Sequence, residues 1–154
     1  MTAMENVVHS ALIDEILGPL PGSRVPKGSG FLAELHQLIG KGVPARVIGK
    51  LEKILGLSPP QSARLLAVSE TSRKRFRQSP ARRLDEAVSD RIVRLVSTLA
   101  EAADVFGEDA KAIAWFKTPS LVLNGQSPLD LMTSDPGAKM VRDELNRIRY
   151  GHWA

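Results

Sequence analysis

SPPQSARLLAVSETSRKRFRQSP, residues 58–80, is the stretch that decides the fold. Ser58 followed by Pro59 marks a helix start: the hydroxyl can accept an orphan N–H, and proline sits in the first turn, where no donor is needed. A short helix through Leu65 and Leu66 follows. Ala67-Val68-Ser69 makes a turn, and Glu70 to Gln78 forms a second helix that ends before Pro80. Two short helices joined by a three-residue turn, the second dense in Arg and Lys, have the spacing of a helix-turn-helix. Ala63, Leu66, Val68 and Phe76 fall where that motif takes small or apolar side chains. Ala67 departs from it by standing where glycine is common, and Arg73 by standing where an apolar residue is common.

Charge is unevenly spread around this stretch. From Glu70 to Arg83 six basic residues face one acid, and from Leu84 to Ala110 seven acids face two arginines, although the whole chain carries only +4. A cationic helix face is often just solvated. Charge on the second helix of this motif is a narrower observation, and it points to DNA. Thr71, Ser72 and Arg73, at the start of that helix, are the expected base-edge contacts. Lys74 lies beside them, and Arg75, Arg77, Arg82 and Arg83 are expected to grip phosphates. One such module binds weakly, so a homodimer presenting two helices to an inverted repeat is expected.

Working outward, Val7, Val8, Ala11, Leu12 and Ile16 recur at helical spacing and stop at Gly18-Pro19. Residues 19–30, PLPGSRVPKGSG, hold three prolines and three glycines, so the helix before them reads as an appendage. Phe31 to Ile39 and Pro44 to Leu55 are two further amphipathic helices, separated by Gly40 and Gly42. Downstream, Leu84, Val88, Ile92, Leu95, Leu99, Ala102 and Phe106 step by three or four along the longest helix, closed by Gly107. Val96 and Ala103 widen its stripe to two sides, enough to link the two halves of the chain and also to dimerise. Asp109 is read as the cap of a short helix carrying Trp115 and Phe116, both assigned to the core. Ser127-Pro128 and Asp135-Pro136 open two more helices, the last ending at Gly151. With no strand pattern, the fold class is all α. The divisions are 1–30 (helix and Pro/Gly-rich loop), 31–106 (helix-turn-helix and dimerisation) and 107–154.

The segment WFKTPSLVLNGQSPLDLMTSDPGAKMVRDELNRIRYG, residues 115–151, carries several ordered elements: Trp115-Phe116-x-x-Pro119, Asn124-Gly125-x-x-Pro128-Leu129, Gly137-x-x-x-Val141 and Leu145-x-Arg147-Ile148-x-x-Gly151. In these it resembles the toxin-binding domain of the Xre/MbcA/ParS antitoxin family, densely over 107–154 and more loosely over 58–106. The resemblance implies a cognate toxin as partner, often of the NAD-consuming RES type, with the antitoxin's C-terminal tail against the toxin's active-site cleft. The tail is aromatic and cationic, and termini are usually polar and frayed unless held. Arg147, Arg149, Tyr150, Gly151, His152, Trp153 and Ala154 are therefore the expected toxin contacts.

Composition sets limits. The chain's 154 residues suffice for a real core, and 43% hydrophobic with 25% charged residues is ordinary for a globular protein. Without cysteine there is neither a disulfide scaffold nor a thiolate metal site. No apolar run reaches the ~18 residues a membrane helix needs, and the start lacks a signal peptide's pattern, so a cytoplasmic location is expected. His9, His36 and His152 are scattered, and there is no phosphate-cradling loop. Neither catalytic residues, metal nor cofactor are expected. The leading reading is an antitoxin that occludes its toxin and represses its own operon, with operator DNA and toxin as partners in a hetero-oligomer. The alternative is a stand-alone helix-turn-helix regulator whose C-terminal domain serves dimerisation or effector binding.

Overall fold

The structure, a computed structural model, describes residues 11–18 and 29–151. These form α1 (11–17), α2 (Ser29–Lys41), α3 (Arg46–Leu55), α4 (Pro59–Leu66), α5 (Glu70–Gln78), α6 (Glu86–Phe106) and α7 (Asp109–Lys117). A 3₁₀ turn (Leu121–Leu123), α8 (Pro128–Leu131) and α9 (Asp135–Tyr150) complete them. Among the described residues there is no strand, only two isolated bridges, Pro44 with Arg83 and Ser120 with Gln126. The all-α expectation holds. No helix among these residues is long and apolar enough to cross a membrane.

Local chemistry explains most boundaries. Ser58 builds a full capping box: its hydroxyl accepts from Gln61 N, and its own N–H donates to Gln61 Oε1 at 2.9 Å. Ser69 and Ser127 cap α5 and α8 through the hydroxyl alone, accepting from Ser72 N and Asp130 N. Asp85 caps α6, accepting from Val88 N at 2.8 Å. Two starts differ from expectation. Glu108, not Asp109, precedes α7 and makes no side-chain cap. Ser134, not Asp135, caps α9, which leaves Asp135 free to pair with Arg94 of α6.

The core is one continuous cluster from Leu12 to Leu145, with α6 at its centre. α6 packs against α2, α4, α7 and α9. Ile92, Val96, Leu99, Ala100, Ala102 and Ala103 are all completely buried, so the second side expected from Val96 and Ala103 is real. The same burial bears on the expectation that this helix also dimerises. Its apolar faces are already covered, and its exposed residues, Glu86, Ala87 and Asp90, lie at its start. α1 corrects another expectation: Leu12, Ile13, Ile16 and Leu17 belong to the core, so this helix is no appendage. Phe116 is fully buried, while Trp115 is half-buried, packing edge-on to Phe116 and tilted against Phe106.

Ala67 closes α4 in the left-handed conformation, φ 56° and ψ 44°, the region where a Cβ is strained and glycine is not. Ala67 is exposed, so its methyl contributes little packing. Ala67→Gly is therefore expected to stabilise the protein by about 1 kcal/mol, the relief of strain less the extra chain entropy of glycine. A urea midpoint unchanged or lowered would show that the turn carries no strain.

Candidate DNA and partner interfaces

α5 stands on α3 and α4. Its single large apolar residue, Phe76, is buried beneath it. That orientation turns Thr71, Lys74, Arg75 and Gln78 outward, at the i, i+3, i+4, i+7 spacing of one helix face, and all four are exposed. Lys74 has no ion pair among the described residues, and Arg75 donates only to Ser72 Oγ, at 3.3 Å. Gln78 was not among the sequence-derived candidates. Its place on the face follows from the position of Phe76, two residues before it.

Arg73 points elsewhere. Its Nε and Nη2 donate to Oε2 and Oε1 of Glu52 on α3, at 2.6 and 2.8 Å, in a two-pronged pair. The two side chains are only 16% and 10% exposed, so the guanidinium expected at a base edge is committed inside the fold. Arg77 also leans on Glu52, with Nε 3.3 Å from Oε1. Gly49 in α3 makes room for it: a Cβ there would collide with the Arg77 guanidinium. Burial disfavours the Glu52 charge. Hydrogen bonds from Arg73 and Ser62, and the charges of Arg73 and Arg77, outweigh it, holding the carboxyl below its ordinary value. The Glu52 contact in turn raises Arg73 above the usual arginine value.

Arg82 and Arg83 follow α5 and are exposed. The Arg82 guanidinium lies 5.5 Å from the centre of the Phe76 ring. Arg83 donates to the Gly42 carbonyl at 2.9 Å, beside the bridge that ties the α2–α3 turn to the segment entering α6. Of the eight residues expected at DNA, the structure thus gathers Thr71, Lys74 and Arg75 on one outward face. Ser72 is half-buried under the cap, and Arg73 is turned inward.

The expected toxin contacts divide similarly. Arg149 donates to Asp104 Oδ2 of α6 at 3.0 Å, with side-chain exposures of 23% and 5%, and so fastens α9 to the core. Arg147 makes a two-pronged pair with the buried carboxylate of Glu144 on its own helix, which raises its proton affinity. Its side chain stays half exposed. Tyr150 projects into solvent, and Gly151 ends the helix with φ 56°. His152, Trp153 and Ala154 lie outside the described residues.

Two family models cover this arrangement in order. Residues 34–97 match the antitoxin Xre-like helix-turn-helix domain, and residues 101–151 match the antitoxin Xre/MbcA/ParS C-terminal toxin-binding domain. A helix-turn-helix joined through a shared core helix to a toxin-binding domain defines the class, an antitoxin of a toxin–antitoxin system. Proteins named antitoxin Xre are similar to the chain, two of them along most of it. That of Pseudomonas putida is 29% identical over 119 residues, 77% of this chain and 73% of the relative. That of Photorhabdus laumondii is 27% identical over 127 residues, 82% and 84% of the two chains. That of Yersinia enterocolitica is 41% identical over 64 residues, 41% of this chain and 43% of its own. The chain belongs to the Xre/MbcA/ParS antitoxin family.

Proposed function

We propose that this antitoxin neutralises a RES-type, NAD-consuming toxin by lodging Tyr150 and the residues after it over the toxin's active-site cleft, and that it represses its own operon through the outward face of α5. The resemblance supports the toxin type. The observation that carries the DNA reading is the sorting of cations on α5. Arg73 and Arg77 lean on Glu52, while Thr71, Lys74 and Arg75 stand outward without an internal acid. In this reading Thr71 reaches base edges near the helix start, and Lys74 and Arg75 serve phosphates and neighbouring bases. Arg73 positions the helix. Two copies set one DNA turn apart, about 34 Å, would supply the affinity that one short helix lacks.

The test is a promoter titration at two salt concentrations. Lys74→Ala with Arg75→Ala is expected to weaken binding and to flatten the log–log salt slope by about two for each copy bound, one for each phosphate no longer gripped. Arg73→Ala, measured where it is folded, should leave that slope unchanged. An unaltered slope in the double variant would assign α5 a solvated face instead. For the tail, deleting residues 150–154 should abolish protection from the toxin in co-expression while promoter binding persists. Undiminished protection would reject occlusion by the tail.

A further inference from the structure

Four large hydrophobic side chains are strongly exposed among the described residues: Leu32, Leu121, Val122 and Tyr150. Leu121 and Val122 are neighbours, 94% and 60% exposed, on the 3₁₀ turn between α7 and α8. The backbone holds them rigidly. Gly125 N donates to Ser120 O at 2.8 Å, Ser120 N to Gln126 O at 3.1 Å, and Asn124 N to Leu121 O at 3.1 Å. Asn124 and Gly125 both take positive φ to close the loop, and Leu123, only 2% exposed, pins it from beneath. An apolar pair shown to water on a loop closed this tightly gains nothing for the free protein. It gives up little freedom when a partner covers it.

We propose that Leu121 and Val122 form a preorganised knob that anchors the antitoxin in an apolar recess on its toxin, separate from the tail that covers the cleft. This rests on the antitoxin reading above. The knob lies inside residues 101–151, the part matched to a toxin-binding domain. Two side chains are far too small for a pair of identical patches to hold two copies together, since a standard interface buries about 800 Å² per partner. As an anchor within a larger heterologous interface, they suffice.

The test uses the full chain with Leu121→Asp and Val122→Asp, and the purified product of the adjacent reading frame as probe. Both side chains are exposed, so the thermal midpoint and promoter affinity should not move. Binding to the probe should weaken by at least about a hundredfold, while the variant lacking residues 150–154 still binds. Full-strength binding by the Asp variant, with the unmodified chain also binding, overturns the knob and leaves the antitoxin reading standing. Failure of the unmodified chain to bind overturns both. Unchanged probe binding with a drop in the chain's own mass in solution would assign the patch to a second copy and overturn the proposal.

Discussion

Gly42→Ala is expected to cost about 3 kcal/mol, and to lower the melting temperature by about 10 °C, through backbone strain and a displaced joint together. Gly42 has φ +92°, and a Cβ there would collide with the backbone carbonyl oxygen of Leu84. That carbonyl belongs to a knot. Leu84 N donates to Val43 O at 2.9 Å, Val43 N donates to the buried Ser89 Oγ at 2.8 Å, and Ser89 Oγ donates to Leu84 O at 3.3 Å. The knot binds the α2–α3 turn to the start of the central helix, so neither side can retreat without breaking buried hydrogen bonds. Denaturant unfolding should show a lower midpoint with an unchanged slope. A loss under about 1 kcal/mol would mean that the turn relaxes freely and the knot is loose.

Arg73→Ala comes next in size. It leaves Glu52, 10% exposed, with Arg77 as its remaining cation, and the expected loss near neutral pH is about 2 kcal/mol. Its pH dependence separates this pair from a surface ion pair. The Glu52 carboxyl lies below its ordinary value of 4.5 in the folded protein, so the pair's contribution is fully present above that value. It disappears as pH falls through the folded value. Because the acid side of the pair is then protonated, the gap between the unmodified protein and Arg73→Ala should narrow on acidification, and Glu52→Gln should flatten the same acid limb. Arg73→Lys keeps the charge but not the two-pronged geometry, and should recover only part of the loss. A gap independent of pH would mean that Arg73 contributes by packing alone.

Much of this protein was legible in its chain because the signals are local. A serine three residues from the N–H it caps, a stripe repeating every three or four residues, and a glycine after the last turn each act within a few positions. Such signals placed the helix-turn-helix over residues 58–78, the long helix ending at Gly107 and the final helix ending at Gly151. Ala67 was visible as an anomaly, and the structure gives its meaning as a left-handed residue without glycine's freedom.

The destinations of the charged side chains were not legible, because their partners are remote. Arg73 meets Glu52 across 21 positions and Arg149 meets Asp104 across 45, so a run of arginines that looks uniform in sequence divides into anchors and outward-facing cations only after packing. An arginine at a normally apolar position was a warning that a buried acid stood opposite, but several acids were equally eligible. The same holds for α1 and α6. Periodicity makes a face apolar without saying what covers it, and it took the three-dimensional arrangement to put α1 in the core and to enclose the face of α6 that looked free for a second copy. Helix identity is thus a short-range property of this chain, while burial and charge pairing depend on which distant segments the fold brings together.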